Sequence, residues 1–119
     1  MANPVVHFEV LGNDLPKLRS FYADLFGWKL QDFPDMNYVI VEKDGDGIGG
    51  GIGVAAEGGQ PMVTFYVATE DMQGTLDRAV ELGGSVVMPV TELPMVTIGL
   101  FADPEGSVIG IVKPPAEES

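Results

Sequence analysis

Two stretches 57 residues apart, His7-Phe8-Glu9-Val10 and Thr64-Phe65-Tyr66-Val67, open the same pattern twice and decide how the chain is read. Each lies in a β-branched and aromatic run, Pro4 to Val10 and Met62 to Ala68, that reads as a strand. Side chains alternate faces along a strand. Val6, Phe8 and Val10 therefore share one face, and Val5, His7 and Glu9 the other. In the second stretch Val63, Phe65 and Val67 oppose Met62, Thr64 and Tyr66.

The residues after each strand repeat as well. Asp14 is placed to cap a helix whose apolar stripe is Leu15, Leu18, Phe21, Tyr22, Leu25 and Phe26. Gly27 stops it. Asp71 caps a second helix with the stripe Met72, Leu76, Ala79 and Val80, ended by Gly83-Gly84. Three strands are expected after the first helix: Trp28 to Phe33, Met36 to Glu42 and Ile48 to Val54. Three more come after the second: Ser85 to Met88, Met95 to Ala102 and Ser107 to Val112. Asp44-Gly45-Asp46-Gly47 and Asp103-Pro104-Glu105-Gly106 read as turns. Ala55 to Gln60 reads as a linker, and Pro114 to Ser119 as a polar tail. A repeat this long is one supersecondary unit used twice. The expectation is an α+β fold in a single domain, 1–119, of two βαβββ modules, about 4–54 and 61–113. Neither module alone buries its helix and sheet face well.

Composition narrows the classes of function. Six basic residues face 18 acidic ones, a formal charge of −12. A nucleic-acid binder needs a basic patch to neutralise phosphates, so nucleic acid is excluded as a partner. Anionic membrane surfaces are excluded for the same reason. No apolar run approaches the ~20 residues needed to span a bilayer. The start lacks the features of a signal peptide. The absence of cysteine removes disulfides, a thiol nucleophile and thiolate metal ligands. Together these point to the cytoplasm and to a neutral or cationic small molecule as ligand.

The closing Phe101-Ala102-Asp103-Pro104-Glu105-Gly106, the run Phe21-Tyr22 to Phe26-Gly27-Trp28 and the opening Val6 to Val10 resemble the vicinal oxygen chelate superfamily of glyoxalases, bleomycin resistance proteins and dioxygenases. Within it the chain is similar to the lactoylglutathione-lyase-related branch. The resemblance implies curved mixed sheets that enclose a cleft, and modules often paired between two chains, hence a homodimer. Metal-dependent members hold ligands on the first and last strands of each module, and the metal acts as a Lewis acid. Carried over residue by residue, His7 stands at one such position. Thr64 stands at its equivalent, Gly110 at the last-strand position of module two, and Gly49, Gly50, Gly51 and Gly53 surround the fourth. His7 is thus the only family-type ligand. No cofactor is firmly expected, and a divalent metal is disfavoured.

His7, the only histidine, and Glu9 on the same face are the candidate catalytic pair, for acid–base work or weak metal binding. Trp28, Tyr38, Thr64, Tyr66 and Phe101 are the candidate ligand-binding residues of an acidic, aromatic cleft. Gly45, Gly47 and Gly50 formally satisfy a dinucleotide motif but open no helix, so that reading is rejected. The glycines instead leave room on their strand for a ligand or a backbone contact. Asp103 and Glu105 belong to a turn, and Ser20, Ser85 and Ser107 lack a nucleophile elbow. The expected function is that of a glyoxalase-related small-molecule-binding protein with a degenerate metal site, for binding, as in the bleomycin-sequestering members, or for metal-poor catalysis in an acidic aromatic cleft. The alternative is a metal-dependent lyase or dioxygenase.

Overall fold

The first strand, β1 (Val5–Gly12), carries the β-branched and aromatic residues that favour extended backbone. The computed structural model describes residues 2–56 and 59–114. Most of the Ala55 to Gln60 linker lies within them, but residues 57 and 58, and the tail from 115 to 119, lie outside the described residues. The chain divides into two compact units, Val6–Thr64 and the remaining described residues.

In the first unit, Asp14 accepts a hydrogen bond from the Lys17 backbone N–H at 3.1 Å, opening α1 (Leu15–Phe26). Pro16 sits within the first turn, where its missing N–H costs nothing. Gly27 ends the helix in the left-handed region at φ 69°. The chain continues through β2 (Leu30–Phe33), a 3₁₀ turn (Pro34–Met36), β3 (Tyr38–Val41) and β4 (Gly49–Val54). The strand order is β2-β3-β4-β1, with β1 and β4 parallel and the other pairs antiparallel.

The second unit repeats this topology. It contains the paired part of β5 (Met62–Ala68), then α2 (Met72–Glu81), β6 (Ser85–Glu92), β7 (Thr97–Ala102) and β8 (Val108–Val112). The order is β6-β7-β8-β5, again with first and last strands parallel. Asp71 caps α2 by accepting from the Gly74 N–H at 2.9 Å. Each half is therefore strand, helix, three strands, and the fold is α+β.

Several boundaries differ from the sequence reading. Met36 falls in the 3₁₀ turn rather than in β3. Pro34 opens that turn and Asn37, at φ 50°, closes it in the left-handed region, which asparagine tolerates. β6 runs four residues further than expected and passes Pro89 with two register shifts, which accommodate the missing N–H. β7 starts at Thr97 rather than Met95.

The helices pack unequally. In the first unit Leu15, Leu18 and Tyr22 cover a core of Val39, Val41 and Ile52. The rest of the expected stripe does not join them: Phe21, Leu25 and Phe26 are each more than half exposed. Six apolar positions over 12 residues make too wide an arc for one four-stranded face to cover. In the second unit Met72 and Leu76 are buried with Ile111, and Phe101 packs against them, while Val80 at the end of the stripe is exposed. No helix among the described residues is long and apolar enough to cross a membrane.

Candidate functional site

β1 sends Phe8 and Val10 to the helix side and His7 and Glu9 to the other. Parallel pairing sets His7 beside Gly49 and Glu9 beside Gly51. Antiparallel pairing sets Tyr38 of β3 beside Gly53. A β-carbon on Gly51 would fall on the Tyr38 hydroxyl, and one on Gly53 would lie 2.9 Å from the Tyr38 ring. Real side chains do not approach so closely, so the ring can lie across β4 only because those two positions are glycine. The room that the glycine-rich strand leaves is thus filled, on this face, by Tyr38. On the helix face the same strand makes room for Phe8, whose ring covers Gly50.

Laid across β4, Tyr38 brings its hydroxyl to both ionisable groups of β1. It lies 3.0 Å from His7 Nε2 and donates to Glu9 Oε2 at 2.8 Å. His7, Glu9 and Tyr38 are all half-buried. Burial disfavours the charged imidazole and holds the His7 pKa below its ordinary value, and the Glu9 charge opposes this less strongly. Among the described residues no three His, Cys, Asp or Glu side chains are grouped to hold a metal ion. No buried polar side-chain atom among them lacks a partner.

The second unit solves the same steric problem from a different strand. Tyr66 of β5 pairs with Gly110 of β8, and a β-carbon on Gly110 would lie 2.8 Å from Tyr66 Cζ and closer still to the ring edge. Tyr66 is buried at 7% exposure and Thr64 at 5%. The ring of Tyr66 takes the space that a side chain at Gly110 would need.

The candidate residues therefore separate. His7, Glu9 and Tyr38 come together. Thr64 and Tyr66 are buried on the matching face of β5. Trp28 does not share the His7 face: it stacks on Tyr22 at 5.4 Å between ring centres, tilts against Phe8 at 5.3 Å and belongs to the helix side. Phe101 packs with Met72, Leu76 and Ile111 on the helix side of its own unit. It also lines a shallow cavity of about 460 Å³ with Ala79, Leu82 and Gly84. A second, apolar cavity of about 680 Å³ runs beside α1, between Leu18, Phe21, Met62 and Val63. Neither cavity includes His7, Glu9 or Tyr38. What sequence reasoning missed was the role of Gly51 and Gly53 as the floor under Tyr38. The available signal was an aromatic residue one short strand before a run of glycines of one parity.

Comparison with known proteins accords with this architecture. In solved structures the fold recurs in a superfamily member from Vibrio splendidus, at TM-score 0.65, 19% identity, 95% of this chain and all of that one. It recurs in methylmalonyl-CoA epimerase from Mycobacterium tuberculosis, at TM-score 0.66, 15% identity, 94% of this chain and 88% of that one. At such identities the likeness is one of fold. The protein named "Putative glyoxylase CFP32" from Mycobacterium bovis is 27% identical over 106 residues, 82% of this chain. The chain spans 41% of that relative's length. The model of the Glyoxalase/Bleomycin resistance protein/Dioxygenase superfamily matches residues 5–111, nearly the whole chain. With both βαβββ units present and the family model running through both, the chain belongs to the Glyoxalase/Bleomycin resistance protein/Dioxygenase superfamily.

Proposed function

We propose that this chain is a small-molecule-binding member of its superfamily, with a degenerate metal site, that recognises its ligand by hydrogen bonding and charge at His7, Glu9 and Tyr38. The observation that carries the reading is the Tyr38 hydroxyl bonded to both His7 and Glu9. A stable divalent site needs three or four ligands. Here His7, the only family-type ligand, is joined through a phenol to Glu9, and glycine stands at the last-strand positions, Gly51 and Gly53 beneath Tyr38 and Gly110 beneath Tyr66. That donor set fits a metal poorly and fits a polar ligand better. The excess of acidic over basic residues favours a neutral or cationic ligand. Binding of this kind, with or without metal-poor catalysis, accounts for the features of the site.

A metal-dependent lyase or dioxygenase is the second reading, favoured by one observation: an imidazole and a carboxylate two residues apart on one strand face. A cytoplasmic homodimer belongs to the same proposal. Its support is the exposed apolar surface of Phe21, Leu25, Phe26 and Val63, of the kind that partners cover.

Calorimetric titration of chelator-free protein with Ni, Zn, Mn and Fe separates the two readings. The proposal expects no tight stoichiometric uptake. Uptake of one ion per chain, lost in His7→Ala, would replace it with the second reading. A thermal-shift screen with cationic glycopeptides and glutathione adducts then addresses ligand class, with stabilisation expected from the cations.

A further inference from the structure

Two Asp-Gly pairs, Asp44-Gly45 and Asp46-Gly47, stand side by side in the exposed connection between β3 and β4. In such a pair the glycine nitrogen can attack the side-chain carboxyl carbon of the aspartate, because no β-carbon stands in its way. The new C–N bond closes a five-membered succinimide, and one water leaves. Water then opens the ring. Opening at the side-chain carbonyl restores aspartate. Opening at the main-chain carbonyl leaves isoaspartate, with the chain running through the β-carboxyl. One water is released and one consumed, and no other reactant is needed.

The fold selects among the carboxylates. Asp14, Asp71 and Asp103 hold backbone N–H groups, and Asp32 and Asp77 hold side-chain nitrogens. The Asp44 and Asp46 carboxylates make no hydrogen bond among the described residues. The two glycine nitrogens then differ. The Gly47 N–H donates to the Asp44 carbonyl at 3.3 Å and closes the turn, whereas the Gly45 N–H has no partner among the described residues. The space differs too. A β-carbon on Gly45 would meet nothing within 4 Å, and one on Gly47 would lie 3.5 Å from the Asp44 carbonyl oxygen.

We infer that Asp44 is a site of spontaneous isomerisation to isoaspartate, selected over Asp46 because the turn engages the Gly47 nitrogen and leaves that of Gly45 open to attack. The product keeps the charge but adds one carbon to the main chain between β3, which carries Tyr38, and β4, which carries the glycines beneath it. Hairpin register is set by that connection. The reaction needs neither ligand nor metal at His7 and Glu9, so its test is independent of the proposed function.

The full chain is aged for weeks at physiological temperature and mildly acidic pH, folded and, in parallel, unfolded in urea. Isoaspartate is placed by peptide mapping with electron-transfer fragmentation and counted by methyl transfer from S-adenosylmethionine with a protein isoaspartyl methyltransferase. The folded protein should carry several-fold more isoaspartate at 44 than at 46, and the unfolded chain comparable amounts at both. Asp44→Glu, which keeps the charge but requires a slower six-membered closure, should remove most of the methyl acceptance of the folded protein, and Asp46→Glu little of it. Equal accumulation at the two positions in the folded protein, an excess at 46, or the same ratio folded and unfolded overturns the inference.

Discussion

The two halves have the same topology and the same device, a tyrosine ring lying on glycine, yet they use it to different ends. In the first half the ring comes from β3, so β1 keeps its own side chains, and these are His7 and Glu9. In the second half the ring comes from the first strand itself. Tyr66 stands at the position matching Glu9, and its ring covers Gly110. One half holds three polar groups half-buried and joined to each other, and the other holds Tyr66 buried. The helices differ in parallel: α1 buries no residue fully, whereas α2 buries Met72 and Leu76. The lesson is that a duplicated module can keep its backbone while one copy buries its aromatic ring and the other gathers polar groups around it, and the choice turns on which strand supplies the ring.

The sharpest way to break that contrast is in the second half. Tyr66→Ala should cost about 3–5 kcal/mol, as other large aromatic truncations in cores do. Gly110→Ala should cost about 1–3 kcal/mol by overpacking against the ring. Made together, the two should be less costly than their sum, since the added methyl then enters vacated space. Urea denaturation of the four proteins measures this, and strict additivity would mean that the ring does not lie on Gly110.

In the first half the same logic predicts a smaller loss of stability and a larger loss of function. Tyr38→Phe keeps the packing and removes the hydroxyl from two half-buried partners, a cost of about 1–3 kcal/mol. Ligand binding should fall by roughly tenfold or more for a comparable loss of binding energy. If Tyr38→Phe binds the stabilising ligand of the thermal-shift screen as well as wild type does, the hydroxyl has no part in recognition.

The pH dependence of stability should also belong to the first half. The unfolded histidine titrates near 6.5, and burial holds the folded value below that. Between the two values the unfolded chain binds the additional proton, so stability is lost as pH falls through that interval. Thermal melts from about pH 7.5 to 5.5 should show a steeper decline for wild type than for His7→Gln. Identical slopes would mean that His7 is not desolvated. The smallest effect is expected on α1, where Leu25→Ala should change stability by less than about 0.5 kcal/mol. A larger loss that varies with protein concentration would show that a partner covers that face.

Much of the fold is legible in the sequence, for identifiable reasons. The repeat, the parity of His7 and Glu9, and the caps at Asp14 and Asp71 are local signals, each set by one or two residues. The bridge is not legible, because Tyr38 lies 31 residues from His7 and its face depends on the 3₁₀ turn at Pro34–Met36. A slip of one residue there would turn Tyr38 toward the helix. Trp28 escapes a sequence reading for a related reason. It falls between α1 and β2, outside regular structure, so strand parity says nothing about it, and its stacking on Tyr22 draws it to the helix side. Phe101 joins the α2 core because it shares its strand face with Gly99, which lies against Leu76 and Ile111.

The central claim is that a phenol, not a metal ion, joins the imidazole and the carboxylate of β1. The most direct measurement is a high-resolution crystal structure of protein grown with excess divalent metal. It should show the Tyr38 hydroxyl within hydrogen-bonding distance of both His7 Nε2 and Glu9 Oε2, over bare Gly51. An ordered ion bound by His7 and Glu9, with Tyr38 turned away, would contradict the account.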